Sequence, residues 1–279
     1  MKRSYFSKRK QFNKICKNIK SIKIQGARNV AKAGLKAYSL FPSVKTKKKI
    51  LKLRATEPML FHVLNEIDKC DVKCALNHFD DAQEKINKNI LKLFRKKKEV
   101  VFTHCHSTNV TGALINAKKK KKNFEVYNTE TRPLFQGRKT ARELKKNKIK
   151  VTMFVDSALG IALSKEQGTK KVTKVFLGAD ALLKNGVINK VGSEVVARIA
   201  RAEKIPVYIV ADSWKFSKEN VPIEQRKLNE VWDKAPKDIK IKNPAFEFVD
   251  KKYITGIVTE RGVESYNSFV KGMLKKGRR

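Results

Sequence analysis

With 279 residues and 41% hydrophobic side chains, the chain has room for one large domain or two ordinary ones around a true apolar core. No run approaches the roughly 18–20 apolar residues of a membrane-crossing helix, and no apolar stretch follows the basic start Met1–Lys10, so a cytoplasmic protein with no membrane partner is expected. Cys16, Cys70, Cys74 and Cys105 are too few and too irregular for a disulfide scaffold and fit a reducing compartment. The formal net charge of +39 invites a nucleic-acid reading. Yet basic runs recur throughout, at Lys47–Lys49, Lys96–Lys98, Lys118–Lys122 and Lys275–Arg279, mostly in apparent turns and helix ends, without a recognition motif. A solvated basic surface with incidental, salt-sensitive RNA binding is the expectation.

Residues 1–98 read as helical. Ile15, Ile19 and Ile22 recur at helical spacing, and a second periodic run covers Val30–Leu40. Thr56-Glu57-Pro58 reads as a helix start, with Thr56 as cap and Pro58 in the first turn, leading into the stripe Leu60, Val63, Leu64 and Ile67. Ile86, Ile90, Leu91 and Phe94 mark the last helix of this part, and no strand is expected in it.

From Glu99 the texture changes, and we place a second domain at 99–279. Short strands are expected at Val100–Phe102, Phe124–Tyr127, Val151–Val155, Val172–Leu177 and Val207–Val210, with helices at Lys139–Lys146, Ser157–Ser164 and Gly192–Lys204 between them. That alternation predicts an α/β fold with a mainly parallel sheet, its strand carboxyl ends gathered on one edge by right-handed crossovers. The polar residues there are Thr103–Asn109, Asn128–Pro133, Asp156-Ser157, Gly178–Asp180 and Ala211–Ser213, which mark that edge as a site. Asn185-Gly186 predicts a hairpin that folds Asn189-Lys190 back toward Asp180. Lys242–Phe246 and Thr255–Thr259 read as late extended segments, and Val263–Arg279 as a closing amphipathic helix.

Two groups at strand ends carry candidate chemistry. Cys105 acts as a base or nucleophile only as thiolate, a form that nearby cationic groups favour. Asp180 follows an apolar run, and a carboxyl group held in apolar surroundings is pushed toward its neutral form, which suits a proton donor. Together they would form an acid/base pair; a packed cysteine and a turn-capping aspartate is the plainer reading of the same positions. Lys190, Lys215, Arg54, Arg132 and Arg138 are candidates to neutralise anionic groups, and Gly26-Ala27 could present backbone N–H groups to a phosphate. Cys70, Cys74 and His78 share a helix face but lack a fourth ligand, so no metal is expected, and His104 reads as a structural hydrogen bonder. Neither a P-loop nor a G-x-G-x-x-G motif is present.

Several segments occur in a telling order: Thr103-His104-Cys105-His106-Ser107, Thr129-Glu130-Thr131-Arg132-Pro133 with Gln136-Gly137, Val155-Asp156-Ser157-Ala158, Gly178-Ala179-Asp180, Asn185–Gly192, Asn243-Pro244-Ala245-Phe246 and Thr259-Glu260-Arg261-Gly262. As a set they resemble the translation initiation factor 2B family of alpha, beta and delta subunits, whose relatives include ribose-1,5-bisphosphate isomerase and methylthioribose-1-phosphate isomerase. The resemblance covers nearly all of 99–264 and reaches back through Gln25-Gly26-Ala27-Arg28 and Arg54-Ala55-Thr56. It implies a helical N-terminal domain followed by a Rossmann-like domain, with pairing into a homodimer or assembly to a hexamer. In the isomerase branch it implies Cys105 as proton acceptor and Asp180 as proton donor, acting on a phosphorylated sugar with no cofactor. Substrate contacts carry over to Gly26, Ala27, Arg54, Ser107, Gln136, Asn189, Lys190 and Lys215. Gln25 stands where that branch has Arg, with Arg28 nearby as a substitute, and Thr108 and Asn109 replace Lys and Ala. The regulatory branch implies instead a non-catalytic partner of the initiation factor 2 alpha subunit.

Overall fold

A computed structural model describes residues 2–54, 57–69, 71–95, 97–165, 167–223 and 226–276. Five helices come first: α1 (Lys2–Lys20), α2 (Ala27–Leu40), α3 (Val44–Leu51), α4 (Pro58–Glu66) and α5 (Val72–Ile90). The Ser43 side chain accepts from Thr46 N at 3.1 Å to start α3, and Asp71 accepts from Cys74 N at 2.7 Å to start α5, each satisfying an N–H the helix itself leaves open. α4 opens with Pro58 after Glu57, which makes no side-chain cap; the expected cap, Thr56, lies outside the described residues. Ile22 does not extend α1, because its φ of +61° turns the chain away two residues past Lys20. Phe12, Ile19, Leu35, Ile50, Leu64 and Phe79 form the core of this helical part. α5 serves two cores. Its Ala75 and Phe79 face the helices, whereas Ile86 and Ile90 lie under the sheet that follows.

That sheet contains β1 (Glu99–Thr103), β2 (Phe124–Thr129), β3 (Val151–Phe154), β4 (Lys174–Leu177), β7 (Val207–Val210), β9 (Gly256–Thr259) and β10 (Gly262–Glu264), in the order β10-β9-β7-β4-β1-β2-β3. All neighbours are parallel except β10, which returns antiparallel on β9. Side chains alternate across the pleat, so Val100 and Phe102 join the core on one face and Val101 the core on the other. α6 (Thr108–Lys119) and α7 (Gln136–Lys146) connect β1 to β2 and β2 to β3. The chain then crosses back through α8 (Leu159–Leu163) to place β4 on the other side of β1. The order therefore reverses between β1 and β4, and a crevice opens beyond their carboxyl ends.

The Asn185-Gly186 turn closes the expected hairpin, β5 (Ala181–Leu183) with β6 (Gly186–Lys190), and β8 (Phe246–Asp250) adds to it as a separate three-stranded sheet. In Lys242–Phe246 the ladder of β8 starts at Phe246, opposite Lys190, and Pro244 before it makes a single β-bridge. α9 (Ser193–Ala202) leads into β7, and α10 (Tyr266–Lys276) closes the described chain. The expected closing helix thus starts three residues late, because Gly262–Glu264 pair with β9. No described helix is long and apolar enough to cross a membrane.

Candidate active site at the sheet switch point

β1 ends in an abrupt turn. Cys105 has a φ of +65°, a left-handed conformation that costs a side-chain-bearing residue about 1–2 kcal/mol. Hydrogen bonds on both sides hold it there: its N–H donates to Thr131 Oγ1 at 3.0 Å, and Thr140 Oγ1 donates to its carbonyl at 2.8 Å. His104 braces the turn from behind. Val191 O can only accept, so His104 Nε2 carries the hydrogen at 2.8 Å; burial pushes the imidazole pKa down, leaving Nδ1 to accept from Thr129 Oγ1 at 2.5 Å. His106, pushed down to about 4 chiefly by burial and then by Lys139, is neutral and bonded through Nδ1 to Thr140 at 3.0 Å.

The β4 end comes close because Gly178 lacks a side chain; a Cβ there would lie 2.7 Å from Ser107 Cβ. Asp180 follows, its N–H donating to Ile188 O at 2.8 Å and starting the hairpin. β6 carries Asn189 and Lys190 back to the crevice, both buried. Ser193 fixes this end, accepting from Asn189 Nδ2 at 2.8 Å and donating to Lys190 O at 2.6 Å.

After β7 a 3₁₀ turn, Ser213–Lys215, inserts Lys215, whose Nζ donates to Ala179 O at 2.6 Å. The turn is clamped from the helical part. Asp212 accepts from Trp214 N at 2.9 Å and meets His78 Nε2 at 3.1 Å, while the Trp214 ring stacks on His78 at 3.5 Å and on His62 at 4.9 Å. The opposite wall is the start of α2. Gly26, at φ +83°, precedes the helix and no side chain caps it. Buried Arg54 joins this wall, with Glu57 Oε1 3.0 Å from its Nη2.

These groups enclose one cavity of about 170 Å³. Cys105, Asp180, Gln25, Gly26, Ala27, Arg28, Arg54, Ser107, Thr108, Gln136, Asn189, Lys190 and Lys215 all line it. Asn109 does not: it is the second residue of α6 and faces α5, donating to Gln83 Oε1 at 3.0 Å. Arg28 lines the wall, but its guanidinium is paired with Asp80, outside the cavity. Arg132 and Arg138 pack around the Phe135 ring instead, and Arg138 pairs with Glu130 at 2.7 Å. Asp156 turns to the backbone N–H groups of Thr131 and Arg132, at 2.9 and 2.6 Å. Of the three residues expected to share a helix face, Cys74 is exposed, His78 is held by Asp212 and Trp214, and Cys70 lies outside the described residues.

The surroundings of Cys105 work against its thiolate: burial pushes the thiol up to about 12, Lys190 opposes this, and Asp180 and Asp156 add to it. Burial also lowers the Lys190 pKa. Among the lining residues that escaped the sequence reading are Arg226 and Glu230, paired at 2.6 Å on the long segment between β7 and β8. Their i, i+4 opposite charges were the available signal, but nothing local aims that segment at a strand edge 120 residues earlier.

Residues 70–265 match the family model described as the Initiation factor 2 subunit family. The chain belongs to this family. Among its relatives, the ribose 1,5-bisphosphate isomerase of Pyrococcus furiosus is 38% identical over 176 residues, covering 59% of this chain and 52% of that protein. The Archaeoglobus fulgidus protein of the same name is 29% identical over 280 residues, covering 88% and 86%. The methylthioribose-1-phosphate isomerase of Geotalea daltonii is 37% identical over 183 residues, covering 58% and 52%. Against the Pyrococcus furiosus and Geotalea relatives, the chain spans about half of their length. A solved structure of a Pyrococcus horikoshii OT3 translation initiation factor eIF-2B superposes with a TM-score of 0.79 at 25% identity, covering 91% of this chain and 96% of that one.

Proposed function

We propose that the cavity isomerises a phosphorylated pentose from aldose to ketose, most simply ribose 1,5-bisphosphate to ribulose 1,5-bisphosphate. The observation that carries this reading is the placement of Cys105 and Asp180 beyond adjacent strands β1 and β4, lining one cavity with Lys190 and Lys215. Asp180, in its acid form, protonates the ring oxygen as the bond from that oxygen to C1 breaks. Cys105, as thiolate, takes the C2 proton, giving an enolate-like intermediate. Cys105 then returns its proton to C1 while the Asp180 carboxylate takes the proton of the C2 hydroxyl, so both groups end as they began. Lys190 is the adjacent cation that favours the thiolate. Gly26, Ala27, Arg54, Asn189 and Lys215 hold the phosphates, and binding two remote phosphates positions C1 and C2 for the transfer. The relatives named ribose 1,5-bisphosphate isomerase support the bisphosphate; those named for methylthioribose 1-phosphate make a monophosphate the alternative substrate. Turnover of the purified chain on a panel of sugar 1-phosphates and 1,5-bisphosphates decides between them. Undiminished turnover by Cys105→Ser would sink the assignment.

A second reading is a non-catalytic partner of the initiation factor 2 alpha subunit, favoured by the likeness to a protein described as translation initiation factor eIF-2B and by Gln25 at the phosphate wall. Pull-down of that subunit together with absent turnover would decide for it. Self-association into a dimer or hexamer is proposed with either reading and is measured by light scattering.

A further inference from the structure

We propose that the solvent face of α1, with the basic α3 beside it, is an RNA-binding surface that grips the phosphodiester backbone. No Asp or Glu precedes Glu57, so every charged side chain of the first three helices is a lysine or arginine. The fold neutralises some of them with carboxylates from later in the chain: Arg28 and Lys32 face Asp80, and Lys47 faces Asp68. The exposed side chains of Lys8, Arg9, Lys10, Lys14, Lys17 and Lys20 meet no carboxylate among the described residues. α3 packs against the apolar side of α1, with Lys49 Nζ 5.3 Å from the centre of the Phe12 ring, so its exposed Lys45, Lys48 and Lys49 add positive charge beside the α1 stripe.

The charge spacing fits a nucleic-acid strand. Lys10, Lys14 and Lys17 share one stripe of the helix with Lys20 at its edge, and at roughly 1.5 Å per residue they follow one another about every 5 Å, so each can meet a phosphate of a strand that carries about one per 3.4 Å. At the amino-terminal end of this row Tyr5 and Phe6 are 54% and 69% exposed, offering rings on which unpaired bases can stack. A lipid surface fits less well. An interfacial helix needs its apolar face free, and the apolar face of α1, Phe12, Cys16 and Ile19, is buried in the helical core. The inference stands apart from the isomerase reading, since none of these lysines lines the cavity.

Fluorescence anisotropy of the full chain with a labelled single-stranded uridine 20-mer, from about 50 to 300 mM KCl, tests this. Lys10→Glu/Lys14→Glu/Lys17→Glu should weaken binding at least about tenfold and flatten the salt slope by about 2, at roughly 0.7 per lost phosphate contact. The equal charge change Lys119→Glu/Lys120→Glu/Lys121→Glu, at the carboxyl end of α6, should cost less than about threefold. The corresponding Lys→Gln set on α1 should weaken binding in the same direction, and decides the matter if circular dichroism shows the Glu set to have lost helix. Equal weakening by both Glu sets, which would mean diffuse charge alone, overturns the proposal. So does the absence of RNA binding at low salt, or tighter α1-dependent binding to phosphatidylserine vesicles or polyglutamate than to the RNA.

Discussion

The protonation of Cys105 offers the most direct test of how the site works. A thiol pushed up to about 12 by burial carries almost no thiolate at pH 7, and forming it there costs about 7 kcal/mol, five pH steps at about 1.36 kcal/mol each. Its alkylation by iodoacetamide, followed at the Cys105 peptide by mass spectrometry, should therefore rise about tenfold per pH unit between 7 and 10 without a plateau. Lys190→Met removes the main influence that lowers this pKa and should slow alkylation further at every pH while leaving the slope unchanged. Stability carries the same signature. The folded pKa lies above the unfolded value of about 8.5, so below pH 8.5 both states hold the proton and nothing is lost. Above it only the unfolded chain releases the proton, so stability falls by up to about 1.4 kcal/mol per pH unit until the folded pKa is passed. Between pH 8.5 and 10 that amounts to about 2 kcal/mol, and urea denaturation of Cys105→Ala should lack this component. A plateau in alkylation below pH 8 would show that the free protein already holds a thiolate, and the account of the buried site would be wrong.

Three further substitutions probe the supports. Trp214→Ala removes the ring stacked between His78 and His62 and frees the turn that inserts Lys215; KM should rise about tenfold with a smaller change in kcat, and an unchanged KM would mean the stack does not position Lys215. Thr140→Val strands the Cys105 carbonyl, with an expected loss of about 1–3 kcal/mol in denaturant unfolding and a fall in kcat; full stability and turnover together would contradict the clamped turn. Gly26→Ala places a side chain at φ +83°, where an L-residue is disfavoured by about 1 kcal/mol or more, and should raise KM for a phosphorylated substrate while sparing Gly168→Ala, whose open surroundings make it the control.

Much of the candidate site's edge was readable because it is written locally. Val100–Phe102 followed by Thr103–Asn109 declares a buried strand that turns polar, and Asn185-Gly186 declares the hairpin that returns Lys190, both visible within a ten-residue window. The failures share one cause. Asn109 sits one residue beyond Thr108 in the same polar run, yet a helix starting at Thr108 rotates it by about 100° onto α5. Arg226 and Glu230 belong to a long irregular segment with no periodicity to say where it lies. Arg28 looked available as a replacement for a missing arginine, but Asp80, far along the chain, holds its guanidinium.

Chain chemistry by itself determined the alternating strands and helices, the polar strand ends and the run of basic residues with no acidic residue before Glu57, since periodicity, turn residues and charge are properties of neighbours in sequence. Tertiary structure alone decided that β4 crosses to the far side of β1, which brings Cys105, Asp180 and Lys190 to one cavity. It also decided that Cys105 is buried there, which pushes its thiol up to about 12. Solvent exclusion and pairing across long chain separations set those two outcomes, and neither quantity exists until the chain is folded.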